Sequence, residues 1–474
     1  MDVRYGLTAL LLCVLIVPKL AVADLTQDIN VLVEKNLPFA DVGIQVEDAQ
    51  TGELLYQHNS FQVYTPASNT KLFTAAAALY GLGKDYRYTT SVNYDRSKLK
   101  HNSLQANLYI KFTGDPSLRV NDLDQLIDRL SAQGIKQIDG NIVIDDTRFQ
   151  LPGIAPGVSY DDMPWSYAAP VDSIILNENA LQTDFIPSQK LNGTVRINSD
   201  PSIPGIKIES RLRTVTYKEF KKLCGTYISF SNFPRIIVSG CYPMSTGPQH
   251  EILSIPHSLW LARQIIATRL KQNNIILHGK IVTGTTPKTL PSVVEHNSQP
   301  LFQLVEHMLQ HSDNTYANSF FKTLGWRLLN HGTYKAGSIA VKQILQRYTN
   351  IDFSQMELAD GAGNRYNLIS PQQITSLLLS VYHDPTIRDA YISALPRAGE
   401  SGTLHWRMLG YRLLGHVNAK TGTMHDVSAL SGYLTTPSKR ELIFSILINH
   451  VVGGIAPAKR LEEKVCDVMA RDIG

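Results

Sequence analysis

The chain changes character twice along its length, and that change limits the architectures open to it. From about residue 90 to 290 it is a succession of short β-rich runs (108–112, 141–145, 194–197, 206–209, 235–239 and 280–284) broken by Gly, Pro and Asn turns. One clear helix, 257–272, stands inside that stretch. On either side the pattern is mainly helical. Before it come a helix at 25–37 with Ile29, Leu32 and Val33 on one face, a hairpin over 42–56 turning at Gln50-Thr51-Gly52, and a helix at 68–82 that Ser68 can cap and Gly83 can stop. After it come helices at 300–310, 314–329, 337–348 and 371–383, then a closing hairpin (427–434 with 442–449) and a helix at 457–472. The pattern predicts a helix-and-sheet domain assembled from both ends of the chain and interrupted by a β-rich insertion of roughly 200 residues. No internal repeat, low-complexity tract or charge run is visible.

Composition narrows the class. At ~100–200 residues per domain, a chain of 474 residues has room for several domains. With 43% apolar and 18% charged residues it is neither disordered nor fibrous. Its 45 Lys and Arg nearly cancel 41 Asp and Glu, so no basic face for nucleic acid is expected. Four cysteines exclude a disulfide scaffold. Residues 1–23 read as a cleaved export signal: Arg4 ahead of an apolar run from Leu7 to Val17, then Ala21-Val22-Ala23 as a small-x-small cleavage site. The other reading is a membrane anchor, but the run is short of the ~20 residues a spanning helix needs. Cys13 would leave with the signal. Cys224 and Cys241, in the β-rich stretch of an exported chain, are expected to pair, with two reduced buried thiols as the alternative; Cys466 would stay free.

Common catalytic and metal signatures are missing: there is no phosphate loop, no glycine fingerprint after a strand and no G-x-S-x-G elbow, His250-Glu251 followed by His257 misses the zinc spacing, and the 14 histidines show no ligand cluster. Three short motifs do appear in a fixed order. Ser68-Asn69-Thr70-Lys71 is S-x-x-K, Ser312-Asp313-Asn314 is S-D-N, and Lys420-Thr421-Gly422 is K-T-G. Each alone could be a capped helix or a surface turn. Together, and with S-x-x-K opening a helix, S-D-N between two helices and K-T-G ahead of a closing hairpin, they are a specific signal. The spacing fits the chemistry. Residues i and i+3 share a helix face, so the Lys71 amine can reach the Ser68 hydroxyl. A serine is a poor nucleophile until a base takes its proton. Lys71 could be that base if burial and the second cation, Lys420, lower its pKa. Ser312 and Asn314 would pass protons and hold the substrate amide. An edge strand carrying Lys420 and Thr421 would let an extended peptide add alongside and meet its carboxylate.

At this point the chain resembles the class C low-molecular-mass penicillin-binding proteins, the D-alanyl-D-alanine carboxypeptidase/endopeptidase family. The similarity extends beyond the triplet to Tyr64-Thr65-Pro66-Ala67, Gly114-Asp115-Pro116-Ser117-Leu118, Asp162-Met163-Pro164, Asp360-Gly361-Ala362-Gly363, Gly402-Thr403-Leu404 and Val427-Ser428-Ala429-Leu430-Ser431-Gly432-Tyr433. The long separation of Ser68 from Ser312 is also the family's; in β-lactamases it is far shorter. Two departures stand out. The family's Asp-Gly-Ser-Gly-Leu-Ser-Arg becomes Asp360-Gly361-Ala362-Gly363-Asn364-Arg365, and the glycine-rich lead into Gly114 becomes Phe112-Thr113.

The resemblance implies an α/β multi-domain protein: a penicillin-binding transpeptidase-like (β-lactamase-like) α+β domain I (24–90 and 295–474), split by an inserted domain II (91–184 and 257–294) with a nested domain III (185–256). It implies a Ser68 acyl-enzyme acting on peptidoglycan stem peptides and cross-links in the periplasm. Lys71, Ser312, Asn314 and Lys420 would be the other catalytic residues, with Thr421, Gly422 and Thr423 binding substrate. The backbone N–H groups of Ser68 and Thr423 would form the oxyanion hole, and β-lactam antibiotics would trap the serine. In the family a domain II aspartate meets the free amine of the diaminopimelate side chain, and the matching position is Asp162; a solvated turn ahead of packing residues Trp165 and Tyr167 is the other reading of Asp161-Asp162. No metal, cofactor, nucleic acid or stable membrane anchor is expected. The helix at 457–472 could lie on a membrane or pack on the sheet of domain I. A β-lactamase or esterase of the same superfamily, and a non-catalytic cell-wall-binding protein, are the alternative functions. The sequence does not separate carboxypeptidase from endopeptidase action, nor assign an oligomeric state.

Overall fold

The computed structural model of the chain describes residues 17–201 and 203–471. The expected leader, Cys13 included, lies outside them up to residue 16; a helix, α1 (Val17–Asn36), begins directly after. The chain forms two compact units. The first takes the described residues up to Lys84, then Val305–Asp313, then everything from Val341. The second takes Asp85–Leu304 and Asn314–Ala340.

The first unit is a five-stranded antiparallel sheet covered on both faces. Its strands are β1 (Asp41–Asp48), β2 (Leu54–His58), β3 (Val417–Thr423), β4 (Ser428–Thr435) and β5 (Glu441–Asn449), in the order β3-β4-β5-β1-β2. The two ends of the chain meet at the β1–β5 ladder, where Val46 pairs Phe444. Strand β5 is buried at every position after Glu441, as a strand with both faces covered must be. Polar residues on such strands have to find partners inside. Thr375 donates to Glu47 and accepts from Gln45, and Ser431 donates to Ser445. Three further helices matter here: α2 (Thr70–Leu82), α3 (Pro371–His383) and α4 (Ala456–Met469). Helix α3 packs on β1 and β5; α4 packs on β4 and on α1. Leu461, Val465, Val468 and Met469 are buried, so the apolar face of α4 is spent on the sheet rather than offered to a membrane. Arg407, in the loop before β3, reaches the buried Glu462 of α4 at 2.9 Å. Among the described residues no helix is long and apolar enough to cross a membrane.

Among the described residues the second unit holds four sheets, a large apolar core and a separate small cluster of Phe149, Val171 and Ile175. The largest has five strands, in the order Ile281–Thr283, Ile142–Asp145, Leu108–Lys111, Thr89–Asn93 and Ser292–Asn297. Its first three strands run parallel, and the last two pair antiparallel. The expected helix starts at Ser258 and ends at Gln272. A second helix that the β-rich pattern obscured, Val120–Ala132, packs against it, with Arg269 bridging to Asp128 at 2.8 Å. Its buried residues Val120, Leu123, Ile127 and Leu130 show the 3–4 spacing of an amphipathic helix. The middle of the insertion forms two three-stranded sheets between Ala180 and Ser254. Cys224 and Cys241 are joined there, Cα to Cα 5.9 Å, while Cys466 is free and buried in α4.

Replacing both Cys224 and Cys241 by serine is expected to lower the stability of the second unit by about 3 kcal/mol. Denaturant titration read separately on the two units checks this, and peptide mapping without reductant should recover the two cysteines in one linked peptide.

Candidate active site

Ser68 lies in a single 3₁₀ turn, Ala67–Asn69, that runs directly into α2. It does not cap the helix: Asn69 occupies the N-cap position and makes no side-chain capping bond. The Ser68 hydroxyl accepts instead from Lys71, Nζ to Oγ 2.8 Å, across one helical turn. Ala67 is held at φ 47°, a left-handed conformation that a side chain resists at a cost of about 1–3 kcal/mol. Two glycines lie hard against this turn. A Cβ on Gly363 would lie 1.8 Å from the Ala67 carbonyl oxygen, and one on Gly422 would lie 2.9 Å from that of Pro66. The K-T-G glycine is therefore a packing requirement: the edge strand lies against the turn that presents the serine.

Lys71 is wholly buried, and its amine also donates to the Ala362 carbonyl at 2.9 Å. Burial pulls its pKa down to about 7, against the opposing pull of the Asp360 and Asp313 carboxylates. Lys420 is buried as completely and donates to the Thr421 carbonyl at 2.8 Å. Burial lowers it well below the usual lysine range, and the neighbouring Lys71 charge lowers it further. Burial is the leading cause at both amines, and two positive charges side by side each oppose the other's protonation.

Asp360 was not among the expected site residues, yet it shapes the loop that receives Lys71. Its carboxylate accepts from the backbone N–H of Ala362 and of Gly363, each at 2.7 Å, and from the Asn367 amide at 3.3 Å. These bonds curl the loop so that the Ala362 carbonyl faces the amine. The loop departs from the family pattern at Ala362, whose contribution is a main-chain oxygen that alanine supplies as well as serine, and at Asn364, which stands in place of Leu-Ser and whose side-chain amide donates to Asp360. An aspartate followed by Gly-Ala-Gly is a recognisable Asx-turn pattern, and that was the available signal.

Ser312 follows the helix Leu301–His311 with φ 57°, and is half-buried. Asp313 ends that segment of the first unit, close enough to influence Lys71. Asn314 opens the helix Asn314–Leu329 of the second unit, where its side-chain amide donates to the Tyr167 carbonyl at 2.8 Å. In the same unit the Tyr167 hydroxyl donates to Asp162 at 3.0 Å, and the Asp162 carboxylate also accepts from Ser159. Tyr167 is 54% exposed, so it is no packing residue; Asp162 and Tyr167 form a polar pair on a loop. Partial burial and the Asp162 charge hold the Tyr167 hydroxyl well above its usual pKa.

Strand β3 is the sheet edge. Its first half is covered, because Ala398 N–H donates to the Val417 carbonyl and Ala419 N–H to the Pro396 carbonyl, each at 2.9 Å. Backbone groups alternate sides along a strand, so Thr421 and Thr423 point the same way as Val417 and Ala419. Among the described residues no backbone group pairs with that outer side at Thr421–Thr423. The Thr421 hydroxyl donates to that of Thr403 at 2.7 Å, which places the Gly402-Thr403-Leu404 segment beside K-T-G. The structure therefore brings Ser68, Lys71, Lys420 and the edge Thr421–Thr423 together in the first unit, and Asn314 and Asp162 together, through Tyr167, in the second.

Comparison with known proteins agrees with this geometry. The chain matches the model of the D-Ala-D-Ala carboxypeptidase 3 (S13) family over residues 25–471. It is 30% identical over 456 residues to the D-alanyl-D-alanine carboxypeptidase of Actinomadura sp. (strain R39), covering 92% of this chain and 82% of that protein. It is similar to the crystal structure of penicillin binding protein 4 (dacB) from Haemophilus influenzae, with a TM-score of 0.85, 26% identity, and 93% of this chain and 99% of that one covered. The same protein complexed with a β-lactam matches with a TM-score of 0.80 at 25% identity, covering 94% of this chain and 99% of that one. By sequence over nearly its full described length, and by a fold that places S-x-x-K against K-T-G, the chain belongs to the D-Ala-D-Ala carboxypeptidase 3 (S13) family.

Proposed function

We infer that this chain is a serine-type D-alanyl-D-alanine carboxypeptidase that works through an acyl-enzyme on Ser68. The observation that carries the reading is the buried Lys71 amine, lowered to about 7 and 2.8 Å from the Ser68 hydroxyl. An amine with that pKa is half neutral near pH 7, as a general base should be. Neutral Lys71 takes the Ser68 proton as Oγ attacks the carbonyl between two terminal D-alanines of a peptidoglycan stem peptide. The N–H groups of Ser68 and Thr423 hold the oxyanion. The proton passes to the departing amine, D-alanine leaves, and water cleaves the ester. Thr421, on the open edge, meets the substrate carboxylate with Lys420 behind it, and Gly422 lets the strand sit close to the serine. The parts of Ser312 and Asn314, proton transfer and the hold on the substrate amide, rest on the motif.

The same chemistry would serve D-centred cross-links, giving endopeptidase action, and a β-lactam would trap Ser68. The export signal at 1–23 and the Cys224–Cys241 pair support a periplasmic location. The three-stranded sheet of Lys207–Val215, Arg235–Pro243 and Thr226–Asn232 lies wholly within 185–256 and supports a nested domain III there, inside a domain II of 91–184 and 257–294. Asp162 is proposed to accept the free amine of a diaminopimelate side chain, a charge-assisted bond worth about 1.5–3 kcal/mol.

Ser68→Ala is expected to abolish covalent labelling by a fluorescent penicillin, and Lys71→Ala to slow acylation at least ~100-fold. Acylation by Lys71→Ala at the wild-type rate would remove Lys71 as the base.

The pH profile follows from the same amine. Acylation should fall as pH drops below about 7, because protonated Lys71 cannot accept the serine proton. Asp360 pulls that pKa upward, so Asp360→Asn should move the acid limb to lower pH. Stopped-flow acylation from pH 5 to 9 measures both; a limb that stays put in Asp360→Asn contradicts the electrostatic account.

Asp162→Asn should lower efficiency on peptides with a free diaminopimelate amine about tenfold, close to 1.4 kcal/mol, while acylation by a simple penicillin stays nearly unchanged. Equal loss on both ligands would point to a damaged fold, and no loss on either would take Asp162 out of the site.

A further inference from the structure

A lysine on the same helix as Asn314 is the least expected buried group of the second unit. Lys322 has no exposed surface, and its amine donates to three main-chain carbonyls: Gln150 at 3.1 Å, Pro152 at 3.2 Å and Val171 at 2.9 Å. Three donors meeting three acceptors is the full capacity of an ammonium. The rings of Phe149 and Tyr334 flank it at 5.4 and 4.8 Å. Burial lowers its pKa to about 8, against the pull of Asp172. A charged side chain is rarely buried to this extent unless it is fully paired, and here every partner belongs to one structural feature.

That feature is the neck of a loop. Gln150 and Pro152 lie on its incoming limb and Val171 on its outgoing limb. The limbs meet where Val171 N–H donates to the Gly153 carbonyl at 2.9 Å, and the Tyr334 hydroxyl donates to the same Gly153 oxygen at 2.9 Å. The neck has no spare room: a Cβ on Gly153 would lie 2.4 Å from the Asp172 carboxylate. Between the limbs the loop carries Asp162 and Tyr167, one 3₁₀ turn, Ser166–Ala168, and a bridge from Trp165 to Leu253 beside which Ser254 donates to the Met163 and Pro164 carbonyls.

We propose that Lys322 is a positioning residue that clamps the neck of the 153–171 loop and thereby sets Asp162 and Tyr167. One helix then grips the loop twice, with Lys322 at its neck and Asn314 at the Tyr167 carbonyl. A conformational link therefore runs along Asn314–Leu329 from the S-D-N asparagine to the residues around Asp162. The effect on substrate choice rests on the reading of Asp162 given above; the clamp itself does not.

The decisive variant is Lys322→Met, which keeps the length of the side chain and removes its three donors. Hydrogen exchange of the full chain, read by mass spectrometry, should show the hydrogen-bonded amides of 153–171 exchanging at least ~tenfold faster, with the five-stranded sheets of both units unchanged. The apparent KM for a peptide with a free diaminopimelate amine should rise about tenfold with kcat little changed, while penicillin acylation stays within about twofold. Unchanged exchange in 153–171 overturns the clamp. Faster exchange there with unchanged peptide kinetics upholds the clamp and rejects the reading of Asp162. If Lys322→Met unfolds the second unit, Lys322→Gln decides, since it leaves two donors on a shorter arm that cannot serve all three carbonyls: faster exchange confined to 153–171 supports the proposal, and unchanged exchange overturns it.

Discussion

Burying an amine makes its proton easy to lose, and the first unit is arranged around two buried amines. Lys71 and Lys420 sit on different elements, a helix and an edge strand, far apart in sequence and without exposed surface. Keeping them there requires close packing on every side. Gly363 and Gly422 bring loop and strand against the serine turn, and Ala67 takes a left-handed conformation between them. Asp360 adds a carboxylate near Lys71, so that the amine settles at about 7. The chemistry of the serine is a property of this packing more than of any single contact.

The sheet explains why such packing holds. Both faces of the five strands are covered, by α3 on one side and by α1 and α4 on the other, and buried polar residues of the strands find partners inside: Gln45 and Glu47 with Thr375 of α3, Ser431 with Ser445, and Ser428 with Glu462 of α4. Strand β1 comes from near one end of the chain and β5 from near the other. A large insertion is tolerated because the ladder that closes the unit is made by residues flanking it, and loop-closure entropy grows only slowly with length.

The parts that were legible in the sequence are those written locally. S-x-x-K is a helix-face relation, Gly83 ends α2 as a C-cap, Ser370-Pro371 starts α3 with a capping box, and the closing hairpin is two apolar runs. What could not be read is mostly long-range. The pairing of Ile142 with both Leu108 and Ile281 in parallel is set by tertiary packing, as is the meeting of Asp360's loop with Lys71. Some misses were local. The helix Val120–Ala132 had its amphipathic spacing on view, and was overshadowed by the β-rich runs around it. The helix expected from residue 337 begins at Tyr334, because Thr333 accepts from the Ala336 N–H at 3.1 Å and starts the turn earlier. Asp162 could be matched to a family position, but its pairing with Tyr167 depends on how the loop folds back.

The half-covered edge of β3 acts as a ruler. Residues 396–398 occupy its lower half, leaving room for a guest strand only along Thr421–Thr423, a span of about 7 Å at ~3.3 Å per residue. A polypeptide running on in both directions would meet the covered half and lose its pairing. A guest that stops at this point keeps every bond it can make. In the proposed reaction the sheet edge would thus measure distance from a main-chain terminus, turning a general template for strand addition into a device that counts from the end.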